Sequence, residues 1–160
     1  MSTLTWSDTF VLHQPQMDRT HEEFVALLAA ADGALAAPEP ELLERFESLV
    51  DHTVEHFAQE DRWMTATGFA PENCHTFQHQ AVLGVMIECA KRARETGQFE
   101  PLKIAVSELA IWFPQHAAMM DAALAEHMAA VGFNPATGRA EKPVAETAPI
   151  TGCGASACSG

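Results

Sequence analysis

Residues 56–60 read His-Phe-Ala-Gln-Glu, and residues 75–79 read His-Thr-Phe-Gln-His. Each stretch carries two side chains that can bind a metal ion, four residues apart. Residues four apart lie one turn apart on the same face of an α-helix, so both side chains of each stretch point the same way. The two stretches therefore predict two helices that present imidazole and carboxylate groups on one face.

Apolar residues continue these faces in steps of three and four, and the same pattern recurs in two further segments. The predicted core-facing residues are Met17, His21, Phe24, Leu28, Ala31 and Leu35; Leu42, Phe46, Leu49, Thr53, His56, Glu60 and Trp63; His75, His79, Val82, Met86, Cys89 and Ala93; and Leu102, Ala105, Leu109, Trp112, His116, Met119, Ala123 and His127. The predicted breaks lie at Pro38 and Pro40, at Gly68 and Pro71, and at Gly97 and Pro101. Four such segments with short connections predict an all-α fold, an antiparallel up-down-up-down four-helix bundle.

The composition restricts the function classes. The chain of 160 residues carries 22 Asp and Glu against 9 Lys and Arg, a formal net charge of −13. We therefore expect no nucleic-acid partner, because binding of nucleic acid needs basic patches. No apolar run reaches the ~20 residues of a membrane span. Residues 1–10 lack a signal-peptide pattern, so we expect a cytoplasmic protein without membrane insertion.

The pattern divides the chain at residue 133. Residues 1–133 are predicted to form the bundle, with residues 1–16 as an extended arm along it. Residues 134–160 are rich in Ala, Gly and Pro and are predicted to be a flexible tail. We interpret Cys153 and Cys158 in this tail as incidental thiols. A redox pair or a metal hand-off loop is the alternative.

Six ionisable side chains fall on predicted core-facing positions. They are His21, His56, Glu60, His75, His79 and His116. Burying so many ionisable groups in one core is costly unless something pairs them. A metal cation does so, because neutral imidazoles and carboxylates are its ligands and its charge offsets buried anions. The pattern therefore predicts a metal site inside the bundle.

Asp121 follows His116 by five residues. Five steps of a regular α-helix rotate about 140° beyond one turn, so the two side chains would not share a face. A π-type turn would bring them together, and such turns often occur at functional sites. Pro114 already disturbs this stretch because it removes a backbone hydrogen bond to Ala110. We expect the fourth helix to bend or widen between Ala110 and Asp121, and the irregularity to help both side chains reach the metal.

The ligand count distinguishes one ion from two. A tetrahedral zinc site takes four ligands. Five histidines and two carboxylates exceed that number and suit two ions that share bridging carboxylates.

The order of these residues, H…HxxxE…HxxxH…HxxxxD, resembles the hemerythrin family over residues 4–133. Flanking residues agree, among them Met17-Asp18 before His21 and Trp112 four residues before His116. The resemblance implies a non-haem site of two Fe ions with an oxo or hydroxo bridge. It further implies that His75, His79 and His116 bind one iron, that His21 and His56 bind the other, and that Glu60 and Asp121 bridge them.

The resemblance also implies reversible binding of dioxygen, as a carrier, store or delivery protein and not as an enzyme. The ligand set agrees, because five imidazoles with two carboxylates form a less electron-rich site than the Glu-rich di-iron oxidases have. One alternative is a di-iron enzyme, namely an oxidase, a peroxidase or a nitric-oxide-handling protein. Another is an oxygen or iron sensor module. The sequence identifies no protein partner.

The remaining histidines are predicted to lie outside the site. His13 and His52 are expected to face solvent. His127 lies about three turns beyond His116 and is expected to serve the end of the bundle. Aromatic residues that could line a dry pocket around the metal are Phe24, Phe57, Phe77, Trp112 and Phe113.

Overall fold

A computed structural model describes residues 4–142 and 149–152. After a short 3-10 turn at Asp8–Phe10, the helices are α1 (Pro15–Gly33), α2 (Glu39–Ala66), α3 (Cys74–Thr96), α4 (Glu100–His116), a π-helix (Ala117–Asp121) and α5 (Ala122–Ala130). The backbone stays helical from α4 through the π-helix into α5, so these three form one continuous fourth helix. Each helix packs on its sequence neighbours, and the fourth also packs on α1. The fold is the predicted four-helix bundle.

The helix ends lie at the predicted breaks, and the start of α3 bears directly on the site. The side-chain oxygen of Asn73 accepts hydrogen bonds from the backbone N–H groups of His75 (2.9 Å) and Thr76 (3.0 Å). The hydroxyl of Thr76 accepts in return from the backbone N–H of Asn73 (3.0 Å). This reciprocal cap stabilises the first turn. At the other end of α3, Gly97 adopts a left-handed conformation (φ 67°) that glycine tolerates without strain.

The core consists of two apolar clusters. The larger fills one half of the bundle and includes Phe24, Phe46 and Phe113. The smaller fills the other half and includes Trp63 and Leu124. On α1, α2 and the fourth helix, the predicted metal ligands fall between residues of the two clusters. The ionisable groups therefore form a polar layer with an apolar cluster on either side.

Most predicted core-facing residues are buried, as expected. The exceptions are Leu35, Val82, Trp112 and His127, which are half-buried, and Met119, which is 63% exposed. The prediction for Met119 was wrong because the π-helix adds a residue to this turn and shifts the phase of the helix. Met120 and Asp121 occupy the buried side instead.

The arm and the predicted tail both contact the bundle. Trp6 and Phe10 of the arm pack against the larger cluster, and the Phe10 ring lies 6.0 Å from that of Phe113. Beyond α5, β1 (Phe133–Asn134) pairs antiparallel with β2 (Arg139–Ala140). Ile150 forms a parallel bridge with Phe69, between α2 and α3. Cys153 and Cys158 lie outside the described residues.

No helix among the described residues has the length and apolar character needed to cross a membrane.

Candidate metal centre

The structure brings all seven predicted ligands together. One group contains Glu60, His75, His79, His116 and Asp121, and the other contains His21, His56 and Glu60. Within each group the candidate ligand atoms lie within 4.8 Å of one another. All seven side chains are buried. The four helices thus place three imidazoles on one side of the centre and two on the other.

The Glu60 carboxylate faces both sets of imidazoles. Its Oε1 lies 3.2 Å from Nε2 of His21 and 3.0 Å from Nε2 of His56. Its Oε2 lies 3.3 Å from Nε2 of His79 and 3.6 Å from Nε2 of His75. One oxygen therefore faces the two-imidazole set and the other faces the three-imidazole set.

The Asp121 carboxylate divides its oxygens in the same manner. Its Oδ1 lies 3.0 Å from Nε2 of His75 and 3.1 Å from Nε2 of His116. Its Oδ2 lies 3.2 Å from Nε2 of His21. Two carboxylates from different helices thus each face both sets of imidazoles.

The π-helix explains how Asp121 reaches the centre. The backbone N–H of Ala122 donates to the carbonyl of Ala117, five residues earlier, so this turn is wider than an α-turn. His116 and Asp121 are also five residues apart, and the wider turn places both side chains on one face. The expected widening between Ala110 and Asp121 is confirmed.

Two histidines have partners on the side away from the centre. The Nδ1–H of His79 donates to Oδ1 of Asp61 (2.9 Å), and the Nδ1–H of His116 donates to Oε1 of Gln78 (3.0 Å). Such bonds fix the ring orientation and leave Nε2 free to bind a metal. The sequence pattern did not indicate a role for Asp61 or Gln78. Both act across a helix–helix contact, which helical spacing does not reveal.

Aromatic side chains pack against the imidazoles. Phe57 stacks on His79 with ring centroids 4.0 Å apart, and Trp112 stacks on His116 at 4.4 Å. Further contacts from the larger cluster are those of Phe113 with His21 and of Phe24 with His56. Four of the five predicted wall residues thus contact the centre.

Phe77 does not contact the centre. It is 71% exposed, so its predicted place was wrong. Phe77 is two residues from both His75 and His79, and residues two apart on a helix do not share a face.

The other histidines lie apart from the ligand atoms. His13 is exposed and the Nε2–H of His127 donates to the carbonyl of Thr67 (2.7 Å) at the end of α2, so both predictions are confirmed. The prediction for His52 was wrong. Its side chain is only 16% exposed, because it lies between α1 and α2 and pairs with Glu23 at 3.1 Å.

Several side-chain atoms of the centre are buried and make no hydrogen bond. Among the described residues they include Nε2 of His75, Oε2 of Glu60 and both carboxylate oxygens of Asp121. Nε2 of His75 and Oδ1 of Asp121 are only 3.0 Å apart, yet their directions do not allow a hydrogen bond. Close ligand atoms that do not point at each other are what a shared cation would explain, because each lone pair then points at the ion. The donor set therefore fits a metal.

Without a metal, the imidazoles of His21 and His75 would retain protons, whereas burial lowers the pKa of His56. Burial lowers the pKa of His21 and His75, but the adjacent carboxylates of Asp121 and Glu60 favour the protonated imidazoles more strongly and raise these pKa values to about 10 and about 9. Burial raises the pKa of Glu60, but the charge of His56 and hydrogen bonds from neighbouring imidazoles keep it well below its ordinary value. The two buried carboxylates therefore require compensating positive charge at the centre.

Comparison with known proteins agrees with this geometry. Residues 14–128 match the family model described as the hemerythrin HHE cation binding domain. The chain is 35% identical over 122 residues to a curated protein named bacteriohemerythrin from Ralstonia nicotianae (strain ATCC BAA-1114 / GMI1000), covering 76% of this chain and 85% of that protein. No solved structure is significantly similar to the chain. The match to the family model spans more than half of the chain and includes all seven predicted ligands, so this protein belongs to the hemerythrin family.

Proposed function

We propose that this protein holds two iron ions in the polar layer of the bundle and binds dioxygen reversibly. The observation that carries the proposal is the orientation of the four oxygen atoms of the two carboxylates. Glu60 and Asp121 each turn one oxygen to each imidazole set. A single cation would not need two carboxylates oriented in this way.

The residues divide into two ligand sets under this proposal. His75, His79 and His116 hold one ion, and His21 and His56 hold the other. Glu60 and Asp121 bridge the two. Two imidazoles rather than three would hold the second ion, which would leave a position for an external ligand. A pair of ferrous ions bound here would supply the electrons for the binding of dioxygen.

The chain's own residues keep the site dry and oriented. Phe24 and Phe113 cover the two-imidazole side and are both buried. An apolar wall keeps out water and anions, which would otherwise compete for the site. Asp61 and Gln78 hold two imidazoles on the other side by their hydrogen bonds. The aromatic side chains thus keep the site dry, and Asp61 and Gln78 orient the imidazoles.

A carrier is favoured over an enzyme by the small number of carboxylates. Among the residues that the structure describes, the two ligand groups contain only two acidic side chains, Glu60 and Asp121. The anionic, Glu-rich centres of di-iron oxidases favour higher oxidation states of the metal, and a centre dominated by neutral imidazoles favours them less. The similar protein from Ralstonia nicotianae is named as a bacteriohemerythrin, which agrees with the same choice.

The test combines metal analysis with an oxygenation cycle. Protein from iron-supplemented cells should contain about two irons per chain, and a single zinc per chain would overturn the iron assignment. The reduced protein should change its absorption spectrum on exposure to air and recover it when dioxygen is removed. Repeated consumption of dioxygen or nitric oxide would instead identify an enzyme.

One variant and a matched control test whether His75 is a ligand. His75→Ala should lose most of the iron and destabilise the bundle, because its buried neighbours lose their shared partner. His13→Ala is the matched control, because His13 is exposed and lies outside both ligand groups. Full iron content and an unchanged spectrum in His75→Ala would show that His75 is not a ligand.

A further inference from the structure

An apolar cavity of about 320 Å³, open to solvent on one side, lies between α3 and α4. On α3 it is lined by Ala81, Val82 and Val85, and on α4 by Ala105, Leu109 and Trp112. Val85 is 58% exposed, so a molecule from solvent can reach the cavity without separating the helices.

Trp112 joins this cavity to the metal centre. It lines the cavity, and its ring also stacks on His116 at 4.4 Å with an interplanar angle of 25°. A molecule in the cavity would therefore contact the residue that packs on a candidate ligand. The described residues of its lining include no candidate ligand, so the cavity is a separate site.

Size and charge define the molecule that fits. An apolar cavity of about 150 Å³ is large enough to bind benzene, so a cavity about twice that volume accepts one or two fused rings. Trp112 offers a flat surface for stacking. Among the described residues of the lining, Glu108 is the one that is acidic, and together with the net charge of −13 it disfavours anions.

We propose that this cavity binds a planar aromatic molecule of one or two rings without negative charge, stacked against Trp112. The site goes beyond the proposed function because it neither contains nor requires a metal ligand. Its occupant would limit the movement of the Trp112 ring against His116.

Titration calorimetry of indole into the purified full-length protein tests the proposal. Indole should give a saturable heat with one molecule per chain. Indole-3-carboxylate has the same ring system with a negative charge, and should bind at least tenfold more weakly. The absence of a saturable heat with indole, or equal binding of the two probes, would overturn the proposal.

A matched pair of variants locates the bound molecule. Ala81→Phe places a ring in the cavity and should abolish the heat of indole binding. Ala26→Phe introduces the same side chain at an exposed position of α1, away from the cavity, and should bind indole as the unaltered protein does. Val85→Glu should weaken binding by adding a charge at the opening. Undiminished binding by both Ala81→Phe and Val85→Glu would show that indole binds elsewhere. Calorimetry requires no dioxygen, so its outcome is independent of the proposed function.

Discussion

Replacing Asp61 by Asn is expected to weaken iron binding about tenfold while leaving the bundle folded. Asp61 accepts a hydrogen bond of 2.9 Å from Nδ1–H of His79 and so orients that ring. Loss of such an outer partner typically costs about 10- to 100-fold in metal affinity. The Asp61 side chain is 37% exposed, so water screens its charge. We therefore expect the lower end of this range, about 1.4 kcal/mol of binding free energy.

The assay is an anaerobic titration of metal-free protein with ferrous ion against a competing chelator. Asp51→Asn is the matched control, because it makes the same charge change at an exposed position of the same helix. Asp61→Ala should lose at least as much affinity as Asp61→Asn, since Asn keeps an oxygen that can accept the bond. Equal affinities for Asp61→Asn and Asp51→Asn would refute the argument that Asp61 supports His79.

Three further predictions concern stability. In the metal-free protein, the pKa values of His21 (about 10) and His75 (about 9) lie above the value of 6.5 for an unfolded chain. The resulting stabilisation is fully present below pH 6.5 and is lost as the pH rises through 9 and 10. The midpoint of urea unfolding should fall over this range, and a constant midpoint would contradict the prediction. Deleting residues 134–160 should keep iron and dioxygen binding but lower the melting temperature by several degrees. The deletion removes three backbone hydrogen bonds to the loop before α3 and to the first residue of α3, each worth about 1 kcal/mol. Loss of iron would show that this segment supports the centre. Pro114→Leu should raise the melting temperature, because it removes a proline from the interior of a helix. It should keep the iron, because the hydrogen bond between Ala122 and Ala117 in the π-helix does not involve Pro114. Loss of iron would show that Pro114 maintains the wider turn.

Helical spacing was sufficient to predict the fold and most of the centre. His56 with Glu60 and His75 with His79 are local pairs on regular α-helices, so their common direction follows from the sequence alone. His21 has no such partner, but its place on the core-facing positions of α1 brought it to the same layer. Local geometry was sufficient because three of the helices are regular where the ligands lie.

Contacts between helices could not be predicted in the same way. The bond from His79 on α3 to Asp61 on α2 depends on how two helices are rotated against each other, which spacing within one helix does not specify. The burial of His52 has the same origin, since Glu23 on α1 covers it. Similarly, the pairing of Ile150 with Phe69 joins residues that are distant in the chain.

The fourth helix shows where two sequence arguments conflicted. Its apolar period placed Met119 in the core, whereas the distance between His116 and Asp121 required a wider turn. The structure follows the second argument, and Met119 lies on the surface. Burying Met119 would contribute about 1.5 to 3 kcal/mol. The wider turn instead brings the Asp121 carboxylate to the buried imidazoles of His21 and His75, at 3.2 Å and 3.0 Å.

The charges of the polar layer link metal binding to folding. Glu60 and Asp121 are buried and ionised, and in the metal-free protein protonated His21 and His75 supply a matching positive charge. Metal ions would replace those protons, because an imidazole must be neutral to bind a metal. Iron loading should therefore release protons, which a pH indicator in weak buffer would detect. The layer is then held together by positive charge in either state. The same arrangement explains why seven ionisable side chains can lie between two apolar clusters without unfolding the bundle.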